Sequence, residues 1–206
     1  MIVIGLTGGI GTGKTEVSKT LGRLGAEILD ADSMGHKIYV KGSDAWQEVV
    51  DAFGKQILTP DGDIDRNVLG SVVFGCKKDL VRLNRIVHPR ILLMLENSIR
   101  DLRGHGYEVV VVEVPLLLEL GWVSVFDEIW VVTSSETLVI DRLTSERNLD
   151  VSSIGDRVNV QMLQKERAKY ADVIIDNNGS LGDLNRRVCT VWRERFVKSR
   201  DKGLEI

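Results

Sequence analysis

The run Gly8-Gly9-Ile10-Gly11-Thr12-Gly13-Lys14-Thr15 constrains this chain more than any other segment, because it fills every position of the pattern G-x-x-x-x-G-K-[ST]. Glycines at this spacing let the backbone take positive φ and turn successive N–H groups toward one point, where they bind phosphate oxygens. Lys14 reaches the β- and γ-phosphates of a bound nucleotide, and the Thr15 hydroxyl is the candidate ligand for Mg²⁺. The helix that starts here adds its positive dipole end. A short apolar strand, Ile2–Leu6, leads into the loop, and the helix after it, Thr15–Leu24, carries Val17, Leu21 and Leu24 at i, i+4 and i+7. An accidental glycine-rich turn would lack that strand–loop–helix frame. Gly8, Gly11, Thr12, Gly13, Lys14, Thr15 and Glu16 are therefore the candidate nucleotide-binding residues, with ATP and Mg²⁺ as the implied co-substrate and metal.

Four further apolar segments read as strands: Ala26–Leu29, Glu108–Val114, Glu128–Val132 and Asp172–Ile175. They are continuously apolar rather than alternating, as in a parallel sheet covered on both faces. Helical patterns lie between them, including Thr137–Arg147 and a terminal helix over Leu181–Lys198. The stretch from Ser33 to Gly106 holds no convincing strand but three helical patterns: Asp44–Phe53, Asp65–Phe74 and Lys78–Arg103. In the third, His88-Pro89 is expected to kink the helix or begin a new one. The expected architecture is α/β: one P-loop domain over residues 1–206, with a parallel sheet flanked by helices. Its core would be 1–32, 107–141 and 170–206, carrying a helical substrate-binding insertion at 33–106 and a helical lid at 142–169. Such insertions on an α/β core close over ligands.

Charge narrows the partner classes. Lys and Arg number 27 against 30 Asp and Glu, a formal net charge of −3, so no global positive field favours nucleic acid or an anionic membrane. The two cysteines, Cys76 and Cys189, read as reduced, buried small hydrophobes rather than a disulfide framework. The apolar start Met1–Leu6 lacks a basic region and cleavage site, and the run Val109–Leu118 is broken by Glu113 and Pro115 and too short to span a bilayer. A cytoplasmic enzyme acting on small molecules is the expectation.

Binding a nucleotide differs from transferring its phosphate, and three features point to transfer. Asp30-Ala31-Asp32 falls where the second strand ends, the edge at which ligands gather in open α/β sheets. A carboxylate there accepts a hydrogen bond from an attacking hydroxyl and aims it at the γ-phosphorus, although an aspartate in that place also caps the next helix. Spacing alone does not choose between the two. The second feature is the basic stretch Arg142, Arg147, Arg157, Lys165, Arg167 and Lys169, interleaved with Asp141, Glu146, Asp150, Asp156 and Glu166. Guanidinium forks stabilise the charge that spreads over the equatorial oxygens during phosphoryl transfer, while an ion-paired surface face is the plainer use of the same residues. The third is the absence of an Asn-Lys-x-Asp guanine-reading tetrad, which argues against a GTPase switch. Glu113, late on its strand, is a candidate outer ligand of Mg²⁺ through water.

The run Gly5-Leu6-Thr7-Gly8-Gly9-Ile10-Gly11-Thr12-Gly13-Lys14-Thr15, followed by Asp30-Ala31-Asp32, resembles the opening of dephospho-coenzyme A kinases. His88-Pro89, Pro115-Leu116-Leu117-Leu118-Glu119, Arg157-x-x-x-Gln161 and Ala171-Asp172-Val173-Ile174-Ile175-Asp176-Asn177-Asn178-Gly179 resemble later blocks of the same family, in the same order. The resemblance implies ATP-dependent phosphorylation of the ribose 3′-hydroxyl of dephospho-coenzyme A, the last step of coenzyme A synthesis. It implies Asp32 as general base or hydroxyl-orienting residue and Arg142 as the lid arginine on the transferring phosphate. Arg66, His88 and Glu119 fall at positions similar to the family's acceptor-side residues, and Asp176 and Asn177 in the block near the adenine of ATP. One departure concerns the lid, where such sequences place a second arginine four residues after the first. Here Arg147 follows Arg142 by five, which moves its guanidinium about 100° around a helix axis. The rival readings are another small-molecule P-loop kinase, such as a nucleoside monophosphate kinase, and a nucleotide-gated binding module that phosphorylates nothing.

Overall fold

The computed structural model describes residues 1–147 and 161–197. Five strands, β1 (Ile2–Gly8), β2 (Glu27–Asp30), β3 (Val109–Glu113), β4 (Glu128–Thr133) and β5 (Val173–Asp176), form one parallel sheet in the order β2-β3-β1-β4-β5. The strand that feeds the phosphate loop is thus the centre of the sheet, with Ile4 opposite Val111 of β3 on one side and Glu128 of β4 on the other. The strands are the apolar runs expected from the sequence, shifted at their ends by one or two residues. The helices follow in chain order: α1 (Lys14–Arg23), α2 (Ala31–Lys37), α3 (Asp44–Phe53), α4 (Arg66–Phe74), α5 (Lys77–Gly104), α6 (Glu136–Arg147), α7 (Gln164–Arg167) and α8 (Leu181–Trp192). Among the described residues, no helix is long and apolar enough to cross a membrane.

The chain divides into two compact units, Asp30–Asp101 and the remainder. In the larger unit, alternate strand residues share a face. Ile4 and Leu6, Val109 and Val111, Trp130 and Val132, and Val173 and Ile175 pack with Val17 and Leu21 of α1 and Leu184 and Val188 of α8. Each Val or Leu fully buried in such a layer contributes about 1.5–3 kcal/mol. The continuous apolar character of the strands has its cause on the opposite face, where Val3, Val110, Val112, Ile129 and Val131 are also buried. Gly5 is required on that face, since a Cβ there would come within 2.5 Å of Leu117 Cδ1 and 2.8 Å of Phe126 Cγ.

The unit Asp30–Asp101 is helical. Val49 and Phe53 of α3, Leu69 and Val73 of α4, and Ile57 and Ile64 between them build its core, and Ile38, Ala45 and Val87 form a smaller cluster. Ser43 caps α3, its hydroxyl accepting from Trp46 N at 3.1 Å, and Asp65 caps α4. The helix α5 runs through Pro89 as one element of 28 residues, so of the two expected outcomes no new helix begins there. The missing N–H removes one hydrogen bond from the ladder. In the adjoining turn the Arg90 guanidinium donates to Ile86 O at 2.6 Å while pairing with Glu48 at 2.6 Å. The terminal helical run follows the expected span through Val197, with α8 passing into a π-helical turn over Arg193–Val197.

Candidate active site

The loop between β1 and α1 takes its form from two glycines in the left-handed region, Gly11 at φ 72° and Gly13 at φ 96°. A side chain at Gly13 would meet the amide of Asn177, and one at Gly11 would come within 3.1 Å of Val139 and Leu143. Both positions therefore need glycine for conformation and for space. Lys14 is buried and folds back along the loop, its Nζ donating to Gly8 O at 3.1 Å and Gly9 O at 3.0 Å. Thr12 Oγ1 closes the turn by donating to Gly9 O at 2.9 Å. Ile10 N donates to Gln161 Oε1 at 2.9 Å, so Gln161 ties the loop to the segment leading into α7.

Thr15, on the first turn of α1, donates to Glu113 Oε1 at 3.1 Å, and Ser18, one turn on, donates to Glu113 Oε2 at 2.8 Å. The carboxylate at the end of β3 is thereby joined to the hydroxyl that the loop pattern offers to a metal. Ser18 was not singled out in the sequence, although its place three residues after Thr15 on one helix face was the available signal.

Across the loop, Arg142 of α6 donates through Nη2 to Asn177 O at 3.0 Å and through Nη1 to Ser134 Oγ at 3.2 Å and Gly11 O at 3.5 Å. Asn177, 6 % exposed, donates from Nδ2 to Thr12 O at 2.8 Å, and its own carbonyl also accepts from Ser134 Oγ at 2.9 Å. It thus fastens the ends of β4 and β5 to the loop. Asp176 takes no part in that fastening: its carboxylate pairs with Arg187 at 2.8 Å and accepts from Asn178. Gly11, Gly13, Lys14, Thr15, Glu16, Arg142 and Asn177 line a single cleft of about 680 Å³ with Leu143, Leu181 and Leu184 among its apolar walls. That volume lies within the range of small-molecule sites. Glu16 at its rim pairs with Lys19 at 2.7 Å.

Glu119 follows the turn after β3 and accepts from Arg167 Nη2 at 2.7 Å and from Met162 N at 2.8 Å. Arg157 lies outside the described residues, and so does the Arg147 side chain.

The remaining candidates belong to the helical unit. Asp30 caps α2, its Oδ1 accepting from Asp32 N at 2.9 Å and Ser33 N at 3.3 Å and its Oδ2 from Ser33 Oγ at 2.6 Å. Asp32 is exposed in the first turn of that helix. Arg66 opens α4, with its guanidinium 5.8 Å from the centre of the Tyr39 ring. Burial pushes the Tyr39 phenol above its usual value, and the Arg66 charge partly offsets this. His88 is half-buried in α5, and that burial holds its imidazole below the ordinary 6.5. A folded value below the unfolded one favours the neutral ring. The stability this contributes is present above pH about 6.5 and is lost as pH falls toward the folded value. Thermal melts between pH 7.5 and 5.5 should therefore show a fall in Tm that is smaller in His88→Gln; an equal fall in both proteins would remove His88 as its source.

A parallel sheet in this order, a glycine loop enclosing its own lysine, and an arginine-bearing helix beside that loop define a P-loop kinase of the small-molecule class. The sequence profile of dephospho-CoA kinase matches residues 2–183, and the chain belongs to that family. Among curated relatives, the dephospho-CoA kinase of Carboxydothermus hydrogenoformans is 42 % identical over 93 % of both chains, and that of Geobacter sulfurreducens is 40 % identical over 95 % of this chain and 100 % of its own. Among solved structures, the dephospho-CoA kinase of Campylobacter jejuni matches with a TM-score of 0.72 and 25 % identity over 93 % of this chain and 96 % of its own. The shikimate kinase of Acinetobacter baumannii, at 17 % identity and a TM-score of 0.55 over 95 % of this chain and 96 % of its own, shares the fold. The family's reaction is phosphorylation of dephospho-CoA in coenzyme A biosynthesis, and this chain is an enzyme of that reaction with ATP as its implied co-substrate.

Proposed function

We propose that the chain transfers the γ-phosphoryl group of ATP to the ribose 3′-hydroxyl of dephospho-CoA, giving coenzyme A and ADP, with Mg²⁺ bound beside the phosphates. The observation that carries this reading is the one cleft that gathers Lys14, Thr15, Arg142 and Asn177 around the phosphate loop in a chain of this family. In the transfer, the 3′-oxygen bonds to the γ-phosphorus as the bond to the β,γ-bridging oxygen breaks, and the hydroxyl proton passes to a carboxylate. Asp32 fills that last role. Its support is its place directly after β2, with the neighbouring Asp30 carboxylate occupied as a cap. Lys14 and Arg142 carry the charge of the β- and γ-phosphates.

The donor set fits a hard cation. The Thr15 hydroxyl and the Glu113 carboxylate, already bridged at 3.1 Å, are oxygen ligands of the kind Mg²⁺ takes, Thr15 directly and Glu113 through water. Among the described residues no cluster of three or more His, Cys, Asp or Glu side chains could hold a metal ion by itself, and the phosphates of a bound nucleotide would supply further oxygen ligands. When bound, the metal supplies charge neutralisation at the phosphates.

On the same reading, residues 33–106 bind the acceptor through Arg66 and His88, residues 142–169 form the lid, and the adenine of ATP rests near Asn177 and Asp176. The compact helical unit Asp30–Asp101 supports the first assignment. Positions 148–160 of the lid lie outside the described residues. The experiment is magnesium-dependent ADP release with dephospho-CoA, AMP, CMP or dTMP as acceptor. The expected result is strong stimulation by dephospho-CoA alone, with coenzyme A as product. Stimulation by a monophosphate instead would transfer the site to another kinase reaction, and no stimulation by any acceptor would favour a nucleotide-gated binding module.

A further inference from the structure

Arg167 is one of the largest fully buried side chains of the protein, with 1 % of its surface exposed. Its guanidinium spans three places. Nη2 donates to Glu119 Oε1 at 2.7 Å, and Nη1 donates to Thr7 Oγ1 at 3.0 Å and to Pro115 O at 3.2 Å. Nε has no hydrogen-bond partner among the described residues. Replacing a buried ion pair by apolar side chains of similar volume is often neutral or stabilising, so a buried guanidinium is weak evidence for a purely stabilising role. The residue is thus poorly explained by stability and well explained by geometry. Thr7 belongs to β1, and Pro115 begins the turn that follows β3, the strand paired with β1. The fork therefore references the turn to the centre of the sheet.

Glu119 is what this geometry fixes. Among the described residues its hydrogen bonds, from Arg167 Nη2 and Met162 N, fall on Oε1. The side chain keeps 21 % of its exposure, and Oε2 accepts no hydrogen bond from the described residues, so the carboxylate is pinned through one oxygen. A carboxylate repels the diphosphate of the acceptor and suits a neutral hydrogen-bond donor. We propose that Arg167 is a positioning residue that sets the orientation of Glu119, and that Glu119 Oε2 receives a hydroxyl or amino donor from the nucleoside part of dephospho-CoA. The proposal rests on the reading of Glu119 as an acceptor-side residue.

The test is a double-mutant cycle on the full-length protein with Glu119→Gln, Arg167→Met and the pair combined, plus Arg167→Lys. Initial rates give KM for dephospho-CoA and for ATP separately, and thermal melts report folding. Glu119→Gln is expected to raise KM for dephospho-CoA about tenfold or more, the loss of a hydrogen bond to a charged group, with KM for ATP within about twofold. Arg167→Met is expected to raise the same constant by a similar factor, and the double variant no further. Arg167→Lys, which keeps the charge but not the fork, should fall between wild type and Arg167→Met. If Arg167→Met does not fold, Arg167→Lys alone decides: an unchanged KM for dephospho-CoA there overturns the positioning role. If Glu119→Gln raises that KM but Arg167→Met only lowers Tm, the acceptor reading of Glu119 stands and the proposal fails. If Glu119→Gln leaves KM for dephospho-CoA unchanged, the reading of Glu119 fails and the proposal with it.

Discussion

Lys14→Ala is expected to lower kcat/KM for ATP by about a thousandfold, the scale on which removal of one preorganised charge donor acts on a transition state. Two losses combine in that figure. In the proposed reaction the ammonium would no longer meet the β- and γ-phosphates, and the loop loses the hydrogen bonds from Lys14 Nζ to Gly8 O and Gly9 O, at 3.1 and 3.0 Å. Each bond contributes about 0.5–1.5 kcal/mol to the loop's shape. ATP affinity should therefore fall together with turnover. Equilibrium binding of ATP and single-turnover rates measured side by side give the two parts. Turnover above about a tenth of wild type would mean that Lys14 is not the principal charge on the transferring group.

Asp32→Asn is expected to behave differently, lowering kcat by about 10²–10⁴ while the affinity for ATP stays within about twofold. The amide keeps the size of the side chain but no longer accepts a proton. The control is Asp30→Asn. Asparagine caps a helix as well as aspartate does, so the bonds from Asp32 N and Ser33 N to residue 30 are preserved and turnover should be nearly unchanged. Should Asp30→Asn be the variant that loses turnover, the proton acceptor is the residue assigned here to the cap. Rates at saturating ATP and dephospho-CoA, with melts to confirm folding, separate the outcomes.

The phosphate loop and the sheet were legible in the sequence because each is specified locally. The loop needs particular residues at fixed spacing, and strands buried on both faces show as apolar runs such as Val109–Glu113. The run through Pro89 was less legible. The proline marks a break in the sequence, whereas the neighbouring side chains, among them Arg90 reaching Ile86 O and Glu48, depend on how α5 packs. Asp30 and Asp32 could not be told apart by spacing, because capping is a matter of where the first turn begins. The roles of Asn177 and Arg167 were least visible. Asn177 reads as part of a turn and Arg167 as one base in a charged stretch, yet their partners Thr12 and Thr7 are distant in sequence and close only in the folded chain. The link between Ser18 and Glu113 has the same character.

The central place of β1 has a consequence for synthesis. The strand that feeds the phosphate loop is made well before its neighbours: Ile2 has no strand partner until Val109 emerges. At typical elongation rates that interval is roughly 5–20 s, during which the apolar strand β1 is without its sheet. The helical unit Asp30–Asp101 is complete within the same interval and draws on its own core. Vectorial folding would then run inside out, the inserted unit first and the nucleotide-binding sheet only once β3 and β4 have left the ribosome.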